Sequence, residues 1–323
     1  MSKAIRIYEL GGPQVMRWED VAVGEPGPGE ARVRHTAIGL NFIDVYDRTG
    51  LYPVQLPSGL GREAAGVVEA VGRKVSGLKA GDRVAYTFPS PGAYAEQRVV
   101  AADRLVRIPS GVSDQDAAAV MLKGLTAWYL VRRTHRVKRG DSVLVHAAAG
   151  GVGLFVSQWA RHLGAKVIGV VGSDAKAKLA KANGCHQVLV GKDDLPARVR
   201  AANRGAGVDV VYDAVGKDTF FLSLDCLRPL GLMVSYGNAS GPVPAIAPLE
   251  LSKRGSLFLT RPTLFHYVAT REALDAAARE LFAAIKRRVV KVRIGQSYPL
   301  RDVATAHRDL EGRRTTGSTV LIP

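Results

Sequence analysis

The stretch HAAAGGVGLFVSQWARHLGAKVIGVVGSDAKAK, His146 to Lys178, holds the residues whose types and spacing can do chemistry. Gly150, Gly151 and Gly153 follow an apolar, strand-like run, SVLVHA, and open a helix-patterned one. A strand that feeds a glycine-rich turn and then a helix aims backbone N–H groups and the helix N-terminus at a phosphate. Residue 148 is Ala where dinucleotide-binding loops usually carry their first Gly, and Gly150 and Gly153 take the second and third places. Gly150 would let a pyrophosphate approach the backbone, and Gly153 would let the helix pack closely on the sheet. Gly150, Gly151, Val152 and Gly153 are therefore candidate cofactor-binding residues.

The next apolar run ends as VVGSDAK, without the acidic residue that usually grips the ribose hydroxyls of NAD. Gly172 and Ser173 stand in its place, and Lys176 follows on the first turn of the next helix. Small donors and a cation suit a 2′-phosphate, which favours NADPH over NADH. Asp174 argues the other way unless it caps the helix.

These residues need a sheet to hold them, and the chain is long enough to build one. Its 323 residues, 47% of them apolar, allow about two domains. Residues 1–115 are rich in Gly, Pro and short alternating runs (ARVRHTAIGL, AAGVVEAVG, DRVAYTF), which read as strands joined by turns. SDQDAAAVMLKGLTAWYLVRR (113–133) turns helical, and from 141 to 261 strand-like and helix-like runs alternate, ending in SLFLTR (256–261). Such alternation implies a parallel, doubly wound sheet. REALDAAARELFAAIKRR (271–288) reads as a long amphipathic helix, and TVLIP as a strand that returns to the first domain.

The charge, 45 basic against 29 acidic residues for a net +16, favours anionic ligands and permits non-specific nucleic-acid binding. The basic residues are spread out, however, and the densest groups, RRTHRVKR and KRRVVKVR, are short, so a solvated surface is expected rather than a nucleic-acid site. Cys185 and Cys226 form no CxxC pair and cannot make a zinc ribbon. No apolar run is long enough for a membrane span, and MSKAIRIYELGG reads as strand and turn rather than as a targeting segment, so a cytoplasmic protein is expected.

NFIDVY, GLYP, LPSGLG, EAAG, KGLTAWYL, AAAGGVG, GLMVSYGNASG, LTRP and TTGSTVLIP occur in this order along the whole chain. With them the sequence resembles the zinc-free NADPH:quinone oxidoreductase (zeta-crystallin-like) family of the medium-chain dehydrogenase/reductase superfamily. The resemblance implies an α/β fold: a GroES-like, β-rich catalytic domain over 1–122, completed by 267–323, and a Rossmann NADPH-binding domain over 123–266. Zinc-dependent members carry a catalytic Cys and a GHE stretch. This chain reads GLN at 39–41 and GRE at 61–63, with Arg62 in the histidine's place, so no metal is expected.

In the resembling family the residues matching Asn41, Tyr46 and Tyr52 border the nicotinamide and the substrate pocket. Asn41 could position either ligand through its amide, and the two tyrosines could offer phenolic donors and ring faces to a quinone. Read from the residues alone, each tyrosine is equally a half-buried core residue. The resemblance also implies cofactor contacts at Asp44 and Tyr46, at Lys123 and Thr126, at Asn238 and Arg261 near the nicotinamide half or diphosphate, and at Arg313 near the adenosine phosphates. A family tyrosine near the adenosine end is replaced here by Gly191, beside Lys192. The implied activity is NADPH-dependent quinone reduction. The alternatives are a zinc-free enone or enoyl-thioester reductase and, from another class, a non-catalytic NADPH- or RNA-binding protein. The apolar strand 256–262 is expected at a sheet edge, where it would join two copies into a homodimer.

Overall fold

The computed structural model describes residues 2–323. The chain divides into two compact units, one comprising the residues up to Leu125 with Tyr267–Lys286 and Val292–Pro323, the other Thr126–His266 with Arg287–Lys291.

The first unit is β-rich and GroES-like. Its seven-stranded sheet runs in the order Ile294–Pro299, Ser318–Ile322, Glu30–Leu40, Glu63–Val71, Arg83–Thr87, Val106–Arg107, and Gln97–Ala101 also pairs with Glu30–Leu40. A three-stranded sheet places Ser2–Ile7 between Arg17–Val21 and Ser58–Gly59. Along Glu30–Leu40 burial alternates with the strand period and then becomes continuous at Ala37–Leu40. Val33, Ile38, Leu40, Val68, Val84, Tyr86 and Leu321 fill the core against this strand. The expected return of TVLIP is observed: Ser318–Ile322 lies antiparallel to Glu30–Leu40, with Val320 opposite Gly39. Directly after Leu40, the helix Phe42–Thr49 begins at Asn41 and is ended by Gly50 in the left-handed conformation.

The second unit is a six-stranded parallel sheet in the order Gln187–Val190, Lys166–Val171, Ser142–His146, Val208–Asp213, Leu227–Ser235, Phe258–Thr260. Numbered along the chain this is 3-2-1-4-5-6, the Rossmann order, whose switch point lies between Ser142–His146 and Val208–Asp213. The helices Gly151–His162, Asp174–Ala182, Leu195–Ala202, Phe220–Asp225 and Leu249–Lys253 lie in the five crossovers that six parallel strands require.

Two elements are shorter than their sequence patterns. The helical run after residue 113 is regular only over Asp114–Tyr129 and widens into a π turn at Leu130–Thr134. There Leu130 O accepts both His135 N–H, five residues on, at 3.2 Å and the Tyr212 hydroxyl at 2.9 Å. The last strand is confined to Phe258–Thr260. Among the described residues, no helix is long and apolar enough to cross a membrane.

Candidate functional site

At the end of Ser142–His146 the chain turns at once. Ala147 is left-handed (φ 50°), Gly150 N–H donates back to Ala147 O at 2.8 Å, and Ala148 N–H donates to Val170 O at 3.1 Å. The helix Gly151–His162 starts at Gly150 with no side chain capping it, so its first-turn N–H groups are open to an anion. A Cβ on Gly153 would sit 2.3 Å from Ala147 O and 2.9 Å from Ala148 Cα, so only glycine permits this approach of helix to loop.

Buried polar groups hold the loop's base. Ser223 Oγ donates to Asp213 Oδ2 (2.8 Å) and lies 2.9 Å from His146 Nε2, so it accepts the His146 N–H. Asp213 also takes the Thr219 hydroxyl (2.7 Å) and Val215 N–H (2.7 Å). Burial lowers the His146 pKa, keeping the ring neutral. This network ties together the ends of the two strands that flank the switch point.

At the end of Lys166–Val171, a Cβ on Gly172 would meet nothing within 4 Å, which leaves room for a ligand. Ser173 is the N-cap of Asp174–Ala182, and its Oγ accepts from Lys176 N–H at 3.4 Å. Asp174, which could have been the cap by its type, is the first helical residue, where its charge faces the helix dipole favourably. Gly191 bonds back to Val171 O at 2.9 Å, and Lys192 pairs with Asp218 at 3.5 Å. Asn238 and Arg261 are brought together: Arg261 Nη1 donates to Ser235 O (2.8 Å), and Asn238 is satisfied with its oxygen accepting from Arg261 Nη2 (3.1 Å) and its nitrogen donating to Gly237 O (2.9 Å). Thr126 is buried on Asp114–Tyr129.

In the first unit, Asn41, Asp44, Tyr46, Tyr52 and Lys123 lie on or beside the segment that leaves Glu30–Leu40. Asn41 Nδ2 donates to Glu63 Oε1 (2.8 Å) and Gly39 O (3.3 Å), and Lys123 Nζ donates to the same Glu63 Oε1 (2.8 Å). The Tyr46 and Tyr52 rings meet edge-on with centroids 5.2 Å apart, and Tyr52 N–H donates to Tyr46 O at 3.1 Å. Tyr46 is buried and Tyr52 half-buried. Asp44, expected beside the cofactor, is fully buried, and its Oδ2 accepts Asn41 N–H (2.8 Å) and the Tyr94 hydroxyl (2.8 Å). The carboxyl therefore braces Asn41 from behind. Burial first, and the nearby Asp47 second, push its pKa up to about 7. Behind it, Arg48 Nη1 donates to His307 Nδ1 at 3.1 Å, so His307 carries its proton on Nε2, 3.1 Å from Tyr94 Oη. Burial, aided by Arg48, lowers the His307 pKa to about 3. Arg313, left-handed at φ 57°, is exposed on the turn before Ser318–Ile322 and belongs to this first unit.

Two family descriptions match the chain: "Alcohol dehydrogenase GroES-like domain" over residues 27–110 and "Zinc-binding dehydrogenase" over 151–283. The chain is 52% identical to a quinone oxidoreductase of Pseudomonas aeruginosa, with 100% of both chains covered. The chain belongs to the zinc-free quinone oxidoreductase family of the medium-chain dehydrogenase/reductase superfamily. It is also 47% identical to a 2-haloacrylate reductase of Burkholderia, covering 100% of this chain and 99% of that one. Among solved structures, the quinone oxidoreductase of Escherichia coli complexed with NADPH aligns with a TM-score of 0.97 and 47% identity, over 99% of this chain and 100% of that one.

The zinc that one family description names does not fit the side chains present. Arg62, in the histidine's place of GRE, is salt-bridged to Asp47 through two hydrogen bonds of 2.8 and 2.7 Å, and a guanidinium is no metal ligand. Among the described residues, no group of three or more His, Cys, Asp and Glu side chains is arranged to hold a metal. Sequence reading missed Glu63, Tyr94 and His307. Glu63 stands in the GRE stretch, but its type there gives no sign of the buried partners Asn41 and Lys123. Tyr94 and His307 gave no local signal, because their partners lie 50 and 213 residues away.

Proposed function

We propose that this protein is an NADPH-dependent quinone oxidoreductase. The observation that carries the reading is the full-length likeness to the quinone oxidoreductase of E. coli complexed with NADPH. The site fits that cofactor on its own geometry: an uncapped helix start behind a loop that admits only glycine at 153, and open space at Gly172. When bound, NADPH supplies the hydride that reduces the substrate. The N–H groups of Gly151, Val152 and Gly153 hold the diphosphate. The Ser173 hydroxyl hydrogen and the Lys176 ammonium meet the 2′-phosphate, since Ser173 Oγ already accepts from the helix start. Gly150 and Gly172 keep the backbone clear of the phosphates. Asn238, Arg261 and Thr126, all in the second unit, line the rest of the cofactor.

Tyr46 and Tyr52 are the donors to the quinone oxygen on which negative charge develops. A quinone is a strong electrophile whose reduced oxygen is a stable phenolate, so orientation and hydrogen bonding suffice where a simple ketone needs stronger acid assistance. A second reading, reduction of an activated C=C bond, is favoured by the likeness to 2-haloacrylate reductase. The setting is the cytoplasm, in keeping with Cys185 and Cys226 as buried free thiols.

The working form is a homodimer joined at the edge strand Phe258–Thr260. Phe258 is 60% exposed and Leu249, nearby in sequence, 59%. The opposite edge, Gln187–Val190, is guarded: Lys181 donates to His186 O and Arg198 to Val190 O. NADPH and NADH oxidation by the purified protein, with a panel of quinones, enones, haloacrylates, alcohols and aldehydes, tests the reading. Quinone turnover with NADPH is expected, with little turnover of simple alcohols or aldehydes. Faster turnover of enones or haloacrylates would select the second reading. NADPH binding without turnover of any of them, together with salt-sensitive RNA binding, would replace both.

A further inference from the structure

Asp213, the last residue of Val208–Asp213, is a fully buried carboxylate. Its Oδ1 accepts Val215 N–H at 2.7 Å and Gly216 N–H at 3.2 Å, and its Oδ2 accepts the Thr219 hydroxyl at 2.7 Å and the Ser223 hydroxyl at 2.8 Å. A buried charge persists only where donors of this kind replace its water. The backbone donors hold the turn that follows the strand, where Gly216 is left-handed (φ 88°) and a Cβ on it would lie 2.7 Å from Gly241 O. The Ser223 hydroxyl carries the contact on to a second strand, Ser142–His146.

The direction of that contact follows from the charge. An ionised carboxylate only accepts, so the single Ser223 hydrogen goes to Asp213, and Ser223 Oγ accepts from His146 Nε2–H at 2.9 Å. The His146 ring is neutral, so its one proton is fixed on Nε2 and Nδ1 carries none. His146 immediately precedes Ala147, whose left-handed backbone (φ 50°) costs any residue with a Cβ and persists only where its surroundings hold it. Ala147 O takes Gly150 N–H at 2.8 Å, so the same turn leads into the uncapped helix start at Gly151. Ala147 is thus held from both sides, by the close passage of Gly153 after it and by the anchored His146 imidazole before it.

We propose that Asp213 is a positioning residue for the cofactor: acting through Ser223 and the Nε2–H form of His146, it anchors the turn at Ala147 and thereby the backbone N–H groups that receive the phosphates. The inference rests on NADPH being the cofactor, and it adds a buried residue that sets the affinity without reaching the ligand.

The first measurement needs no ligand. Nitrogen NMR of the imidazole rings in the purified protein, with the His146 signals identified by their loss in His146→Gln, reads which ring nitrogen carries the proton. The wild type is expected to carry it on Nε2. Asp213→Asn turns an amide N–H toward Ser223, so Ser223 donates to His146 Nε2 instead and the proton is expected on Nδ1. A wild-type ring protonated on Nδ1, or a folded Asp213→Asn protein with the proton still on Nε2, overturns the role of Asp213. The second measurement is NADPH binding, followed by cofactor fluorescence well below the unfolding temperature of each variant. His146→Gln places an amide N–H where Nε2–H stood and is expected to bind within about twofold of the wild type. His146→Leu, of similar bulk, leaves Ser223 Oγ without its donor, so the fraction of molecules holding the turn is expected to fall to about a tenth and NADPH affinity about tenfold. Ser223→Ala is expected to lose as much and replaces His146→Leu if that variant fails to fold. Equal affinities for His146→Gln and His146→Leu would mean that the ring only fills space, which overturns the proposal while the functional reading stands. A wild type that shows the expected proton on Nε2 yet binds no NADPH overturns the functional reading and, with it, the cofactor role of Asp213.

Discussion

Two glycine-to-alanine changes, one on each side of the proposed phosphate site, should fail in opposite ways. At Gly153 the added methyl would lie 2.3 Å from Ala147 O, 2.9 Å from Ala148 Cα and 3.0 Å from Ala147 C. All three are backbone atoms, so no side chain can swing aside. Alanine gains up to about 1 kcal/mol in helix propensity, but overpacking of this kind costs about 1–3 kcal/mol. A net loss of about 1–2 kcal/mol in a unit of this size lowers Tm by roughly 2–8 °C. At Gly172 the methyl meets nothing within 4 Å, and the backbone lies outside the left-handed region. Gly172→Ala should therefore keep its stability within about 0.5 kcal/mol. Its methyl would instead stand in the space proposed for the adenosine ribose phosphate, weakening NADPH roughly tenfold or more, the effect of about 1.4 kcal/mol. Thermal unfolding without ligand, paired with titration of NADPH by its own fluorescence, separates the two effects. The reasoning is refuted if Gly172→Ala binds NADPH like the wild type, or if Gly153→Ala unfolds at the wild-type temperature.

Removal of the Lys176 ammonium in Lys176→Ala should cost roughly tenfold or more in NADPH affinity and little in NADH affinity, because a charge-assisted contact is worth about 1.5–3 kcal/mol; equal losses for both cofactors would sink the 2′-phosphate assignment. If two copies join at the edge strand as proposed, Phe258→Glu should leave a species near 34.5 kDa in sedimentation, whereas a wild type already of that mass at micromolar concentration would dismiss the edge-strand interface. Activity should survive dialysis against a strong chelator, and a stoichiometric metal found by elemental analysis would overturn the reading of GRE. His35 and His307, held by burial near pKa 4 and 3 against 6.5 when unfolded, give stability that is present above pH 6.5 and lost as pH falls toward 3. Asp44, raised from 3.8 to about 7, opposes them, since its contribution is complete below 3.8 and lost as pH rises through 7. In Tm measured across pH 4 to 7, His307→Gln should flatten the acid limb and Asp44→Asn should steepen it; unchanged slopes in both would contradict the assigned protonation states.

The parts of this site that can be read from the sequence are those whose work is done by consecutive backbone. The turn from His146 to Gly153 needs glycine where a Cβ would strike Ala147 and Ala148, so cause and effect lie within seven residues and leave a local pattern. The doubly wound sheet is legible for the same reason, since each strand and crossover helix carries its own period. Helix ends are less sharply marked: Ser173 and Asp174 are both good caps by type, and the backbone at 173 decides between them. Contacts made from afar leave no mark, as where the Tyr212 hydroxyl reaches Leu130 O across 82 residues. Polar direction is harder still. A carboxylate can brace an amide only when folding brings residue 63 against residues 39, 41, 122 and 123, and the spacing of those numbers follows no helical or strand period. In the sequence, Asn41 is an amide of either polarity. The buried oxygen of Glu63, admitted by the missing Cβ of Gly39, makes it an acceptor.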